Sequence, residues 1–218
     1  MAADDNCSGW RTAARAIGLV RAGVALRIVC LIGGVVELWF GAYRDALRVV
    51  IVTTAVMLVC DVIAAAGAGV FALRAPVRGR SAALAATALL ACAALDAWGL
   101  VWLTDTVAVA GRVLVHGMAV CSLAAALAVL SAANATLLGI DPGAPRTSVV
   151  GARWLLGAGT VLFELGVPQR NDLGLLLVLA ALPVLLAGAI AYVAALGRVR
   201  AALLAHAPVP PAARALAR

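Results

Sequence analysis

Five long apolar stretches of this chain each hold ionisable residues well inside them: Glu37, Asp61, Asp96, the pair Arg112 and His116, and Glu164. Carboxylates in a low-dielectric layer can bind a cation or pass a proton, and a histidine among them can exchange a proton near neutrality. An arginine in the same layer supplies a counter-charge. Charge in hydrocarbon is costly unless it faces protein, water or a partner, so each of these residues marks a candidate site. Asp61 leads, because its own stretch offers it no cationic neighbour. Asp61 and His116 form the first pair to test, Asp96, Glu37 and Glu164 extend the set, and Arg112 is the counter-charge.

Each feature also has a purely structural account. Arg112 can neutralise one or two carboxylates and fix helix packing without any transport role. Asp61 can sit protonated against the backbone of small neighbours. Cys30, Cys60, Cys92 and Cys121 fall one to a stretch with no Cys-x-x-Cys pair, which suits small apolar packing better than soft-metal ligation. With Cys7, they form no disulfide framework of the secreted kind. Pro183, in the middle of the last stretch, frees a carbonyl one turn earlier and is the hinge candidate, a static kink being its plainer role. Asn134-Ala135-Thr136 matches a glycosylation sequon but falls on the predicted inner side. His206 is assigned no role.

The chemistry needs elements to hold it, and composition names them. The chain has 218 residues, 65% of them hydrophobic and 12% charged, with a mean hydropathy of +1.09. No charged region is long enough to fold as a separate aqueous domain. A span needs about 20 apolar residues to cross a core of about 30 Å. Six segments qualify: Val24–Tyr43, Leu47–Leu73, Ser81–Leu103, Val107–Leu130, Val149–Val167 and Leu173–Leu196. The fourth continues helically through Ser131–Leu138, towards the interface. The expected fold is all-α, a compact six-helix transmembrane bundle at 24–197. A basic segment precedes it at 1–23 and a basic Ala/Pro-rich tail follows at 198–218.

Arginine sets the orientation. Lysine is absent, and only Arg44, Arg48, Arg170 and the intramembrane Arg112 fall on the side opposite the termini. The other arginines gather at the N-terminal segment, the second and fourth loops and the tail, which predicts both termini in the cytoplasm. Trp39, Phe40, Tyr43, Trp98, Trp102 and Phe163 fall at the predicted outer ends, where amphipathic rings favour the headgroup level. Trp10–Ala22 is mildly amphipathic and reads either as a helix along the inner surface or as a solvated lead-in. Asp4 and Asp5 argue against a cleavable signal peptide.

Helical spacing then aims the charges. Gly23, Arg27, Cys30, Gly34, Glu37 and Gly41 recur at steps of three and four, as do Arg153, Gly157, Thr160 and Glu164. Asp61 shares a face with Thr54, Ala65 and Ala68, and Asp96 with Ala85, Cys92 and Gly99. Small residues permit close helix approach in lipid, so these faces are expected inside. Counting from the outer ends puts Glu37, Asp96, Arg112 and Glu164 in the outer half and Asp61 and His116 near the midplane. The similar placing of Glu37 and Glu164 fits an internal duplication, though biased composition mimics repeats easily.

The leading functional expectation is cation- or proton-coupled transport or permeation through an acid-lined interior. The alternative is a non-catalytic membrane subunit or assembly factor whose buried charges hold helix register. An enzyme acting on a lipid-like substrate comes third, since the chain carries no Ser–His–carboxylate elbow, His-Glu-x-x-His or phosphate-cradling glycine loop. No catalytic residue, metal or cofactor is assigned. The expected partners are the bilayer, a cation or proton, and a membrane-protein partner or second copy. The net charge of +7 does not signal nucleic acid, because the arginines flank apolar stretches. The Ala/Gly/Arg bias suggests a GC-rich genome and a bacterial plasma membrane, or a host membrane or envelope if the source is viral.

Overall fold

The structure, a computed structural model, describes residues 2–40, 46–74, 80–102, 108–141, 147–166 and 172–207. Within these, the side chains at 2–8, 30–40, 46–50, 100–102, 108–116, 118–119, 147–148 and 175 lie outside the described set. Six helices account for nearly all of it: α1 (Ala2–Phe40), α2 (Ala46–Arg74), α3 (Arg80–Trp102), α4 (Ala108–Ile140), α5 (Thr147–Gly166) and α6 (Asp172–Ala205). No strand occurs among the described residues. Five stretches are long and apolar enough to cross a membrane: Ile51–Arg74, Arg80–Gly99, Val120–Ile140, Val149–Gly166 and Asp172–Ala205. The chain is an all-α protein of membrane-spanning character.

Helices joined by short connections pack as antiparallel neighbours. Each of α1 to α4 packs on the next, α4 also meets α5 and α6, and α6 packs on α5 and closes against α1. Glycines set the closest approaches. A Cβ on Gly23 would meet the Cys60 carbonyl at 2.8 Å, and one on Gly67 would meet the Ala16 carbonyl at 2.8 Å. At the α5–α6 contact, a Cβ on Gly159 would stand 2.8 Å from Leu185, and one on Gly188 2.9 Å from the Leu156 nitrogen. Only a residue without a side chain lets backbones come this near, and dispersion between them is what joins helices in lipid.

The main buried cluster lies at one end of the bundle. It draws on the first halves of α1, α3 and α5 and the second halves of α2, α4 and α6, with Ile17, Phe71, Leu90, Leu130, Leu196 and Leu203 among its members. Alanine is its commonest residue, whereas Val29, Leu73, Leu95, Val120, Trp154 and Ile190 are all exposed. Small residues inside and large aliphatic ones outside invert the soluble pattern and suit a lipid solvent.

Three helices run longer than the hydrocarbon thickness suggests. α1 has 39 residues, α4 has 33 and α6 has 34. At ~1.5 Å per residue these three, the longest helices, exceed the ~30 Å layer by several turns, and α2 with 29 residues exceeds it less. Their extensions pack on one another at the same end. Trp10–Ala22 is an unbroken part of α1, with Ala13, Ala16, Ile17 and Val20 buried, not a separate helix along the surface. The reason is its small apolar stripe, which fits against α2 and α6 while Arg11, Arg15 and Arg21 stay exposed. Likewise Ala132, Ala133 and Thr136 of the α4 extension are buried in the bundle instead of emerging at its edge. The sequon threonine is therefore inaccessible, its hydroxyl donating to the Ala132 carbonyl at 2.8 Å. α6 continues through Pro183, which is exposed on its outer face.

Candidate functional site

The close crossing of α1 and α2 positions a buried charge pair. Gly23 seats α1 on the Cys60 carbonyl, and Arg27 follows one helical turn later on the same face. That turn carries its guanidinium to the residue after Cys60. Nη1 of Arg27 donates to Oδ1 of Asp61 at 2.5 Å. Asp61 is 2% exposed and Arg27 17%, so the acid is the more enclosed partner. Oδ2 of Asp61 is buried with no hydrogen-bond partner among the described residues. Thr54, two turns before Asp61, is also buried, as are Ala64 and Ala68 beyond it.

This arrangement bears directly on the expectation for Asp61. The acid lies inside the bundle, on a face shared with small residues. Its cation comes from the neighbouring helix, not its own. Sequence reasoning counted Arg27 among the arginines of the inner side and missed it as a partner. A signal was present, because Arg27 lies four residues after Gly23 on the small-residue stripe of α1.

A second polar tie joins α4 and α5. Nη2 of Arg153 donates to Oγ of Ser131 at 2.7 Å, and that hydroxyl donates to the Leu127 carbonyl at 2.8 Å. Nε of Arg153 is buried without a partner among the described residues, as is Oγ of Ser122. Thr87 returns its hydroxyl to the Ala83 carbonyl at 2.9 Å. Hydroxyls that bond one turn back along their own helix are satisfied wherever the helix lies, which suits a membrane interior.

The other candidates sit apart. Asp96 faces α4, where a Cβ on Gly117 would stand 3.0 Å from its Oδ2. Its expected small-residue face is not interior, since Ala85 and Cys92 are exposed. The stripe one position further round, Ala86, Leu90, Ala93 and Ala97, is buried instead. Glu164 is partly exposed, and on its stripe a Cβ at Gly157 would meet nothing within 4 Å. α5 spends its close contacts on α6, through Gly159 and Gly166, so the Glu164 stripe flanks that contact. The side chains of Glu37, Arg112 and His116 lie outside the described residues, and with them the expected outer cluster.

Among the described residues no three histidine, cysteine or acidic side chains gather as a metal site. Cys60 is buried, Cys92 exposed and Cys121 intermediate. His206 follows the end of α6; its backbone N–H donates to the Ala202 carbonyl at 3.1 Å, and its Nδ1 lies 2.9 Å from the same oxygen. What the described site can do chemically is hold one buried ion pair and offer one unpaired carboxylate oxygen. Compared with family models, curated proteins and solved structures, the chain matches none of them.

Proposed function

We infer that the chain is a six-span membrane protein with both termini in the cytoplasm, acting as a non-catalytic membrane subunit or assembly factor. Its buried charges hold the helices in register. One observation carries this reading: Asp61 is paired with Arg27 one turn beyond the close crossing of Gly23 on the Cys60 carbonyl, where α1 meets α2. A charge pair set beside a crossing that leaves no space for a side chain suits positional specificity, a recognised use of buried ion pairs. Orientation rests on the arginines at the inner end, Arg11, Arg15, Arg21, Arg74, Arg80, Arg198 and Arg200, all exposed.

The second reading is cation- or proton-coupled transport with Asp61 as carrier. Its support is the buried Oδ2 that lacks a partner among the described residues. Reconstituting Asp61→Asn in proteoliposomes separates the two. The register reading expects a protein that unfolds at lower temperature, with no pH-driven flux in either form. Loss of a wild-type flux in a variant as stable as wild type would instead establish transport.

A further inference from the structure

At the arginine-rich end, α1 and α6 exchange guanidinium groups. A Cβ on Gly18 of α1 would stand 3.7 Å from Nε of Arg200, and one on Gly197 of α6 would stand 3.5 Å from Nη1 of Arg21. Each helix carries the same short pattern, Gly18-Leu19-Val20-Arg21 and Gly197-Arg198-Val199-Arg200. In the antiparallel pair, each arginine therefore lies over the other helix's glycine. The three-residue offset spaces the two positions by about 4.5 Å along the seam.

Two like charges so placed repel unless an anion lies between them. Both arginines are exposed, and neither has a hydrogen-bond or carboxylate partner among the described residues. The seam continues away from them as an apolar track. Ala22 and Val29 of α1 and Ile190 and Ala194 of α6 are exposed and share the stripes of Gly18 and Gly197.

We propose that Arg21 and Arg200 clamp the phosphate of an anionic phospholipid in the leaflet at the arginine-rich end. Guanidinium forks match phosphate oxygens, and two of them across one seam give a bidentate site. The lipid's acyl chains follow the track past Ala22, Val29, Ile190 and Ala194. The apolar track favours a lipid over free phosphate, because phosphate alone has no use for it.

The test uses the full chain in phosphatidylcholine nanodiscs containing phosphatidylglycerol, with bound lipid counted by native mass spectrometry. Wild type retains phosphatidylglycerol over phosphatidylcholine. Arg21→Gln with Arg200→Gln lowers that retention roughly tenfold or more. Arg11→Gln with Arg74→Gln removes equal charge from the same end and changes it less than about twofold. Equal losses in the two double variants would reduce the effect to bulk attraction and overturn the clamp. Full retention in the first would do the same, as would displacement of the lipid by inorganic phosphate. If the glutamine pair does not fold, Arg21→Lys with Arg200→Lys keeps the charge and removes the fork. Its retention falls on this proposal, and unchanged retention refutes it.

Discussion

At the scale of single residues, burial in this protein is expensive and is met by short, specific ties. Asp61 meets Arg27, and Arg153 meets Ser131. The second tie has a checkable consequence. Ser131→Ala removes the acceptor of Nη2 while Nε of Arg153 already lacks a partner among the described residues. An unsatisfied buried donor costs about 1–3 kcal/mol, more when charged, so the variant unfolds at clearly lower temperature in detergent. Thr87→Val keeps the methyl group against Gly69 and loses only an intrahelical hydroxyl bond. It falls within about 1 kcal/mol of wild type. The sequence made Asp61 conspicuous but hid its partner, because Arg27 reads as one of the inner-side arginines and Arg112 as the counter-charge. Spatial pairing across helices needs their register, which the glycine at position 23 sets.

At the scale of elements, the glycines sort by what lies opposite them. Gly159 faces Leu185 at a distance no Cβ can occupy, while Gly157 faces open space. Gly159→Ala must therefore push α5 from α6 or displace Leu185, and destabilises by about 1–3 kcal/mol, as overpacking does. Gly157→Ala is neutral or stabilises by up to about 1 kcal/mol through helix propensity. Thermal unfolding of the two variants side by side checks this, and equal losses would contradict it. The same contrast explains which stripes were legible. Spacing alone marked Gly157 and Gly23 alike as packing positions, yet only Gly23 has a helix pressed against it. Helix ends were less legible than helix existence. A hydrocarbon thickness alone does not set them, because α1, α4 and α6 continue where their extensions bury Ala13 and Ala16, Ala132 and Ala133, and Val199 and Leu203. For α3, the small residues around Asp96 marked one face, but alanine is so common that the adjacent stripe served as well and was the one buried.

At the scale of the whole molecule, an all-helical fold of membrane-spanning character could be read from apolar length and arginine placement. The order of helices could not, since no residue pattern in a chain this rich in alanine, valine and leucine distinguishes one neighbour from another. The structure supplies that order and closes α6 on α1, which brings Arg21 and Arg200 to one seam. It also concentrates the tight core at the arginine-rich end, so the bundle's register depends on few specific contacts in the α1–α2 crossing. A thermodynamic cycle on Arg27 and Asp61 tests this most directly, with unfolding of wild type, Arg27→Leu, Asp61→Leu and the double variant measured in nanodiscs. Breaking a buried pair costs about 3–5 kcal/mol, and replacing both charges by apolar groups is close to neutral. Each single variant is therefore predicted to be strongly destabilised and the double variant to recover most of the loss. Additive losses, or single variants as stable as wild type, would contradict a register role for the pair.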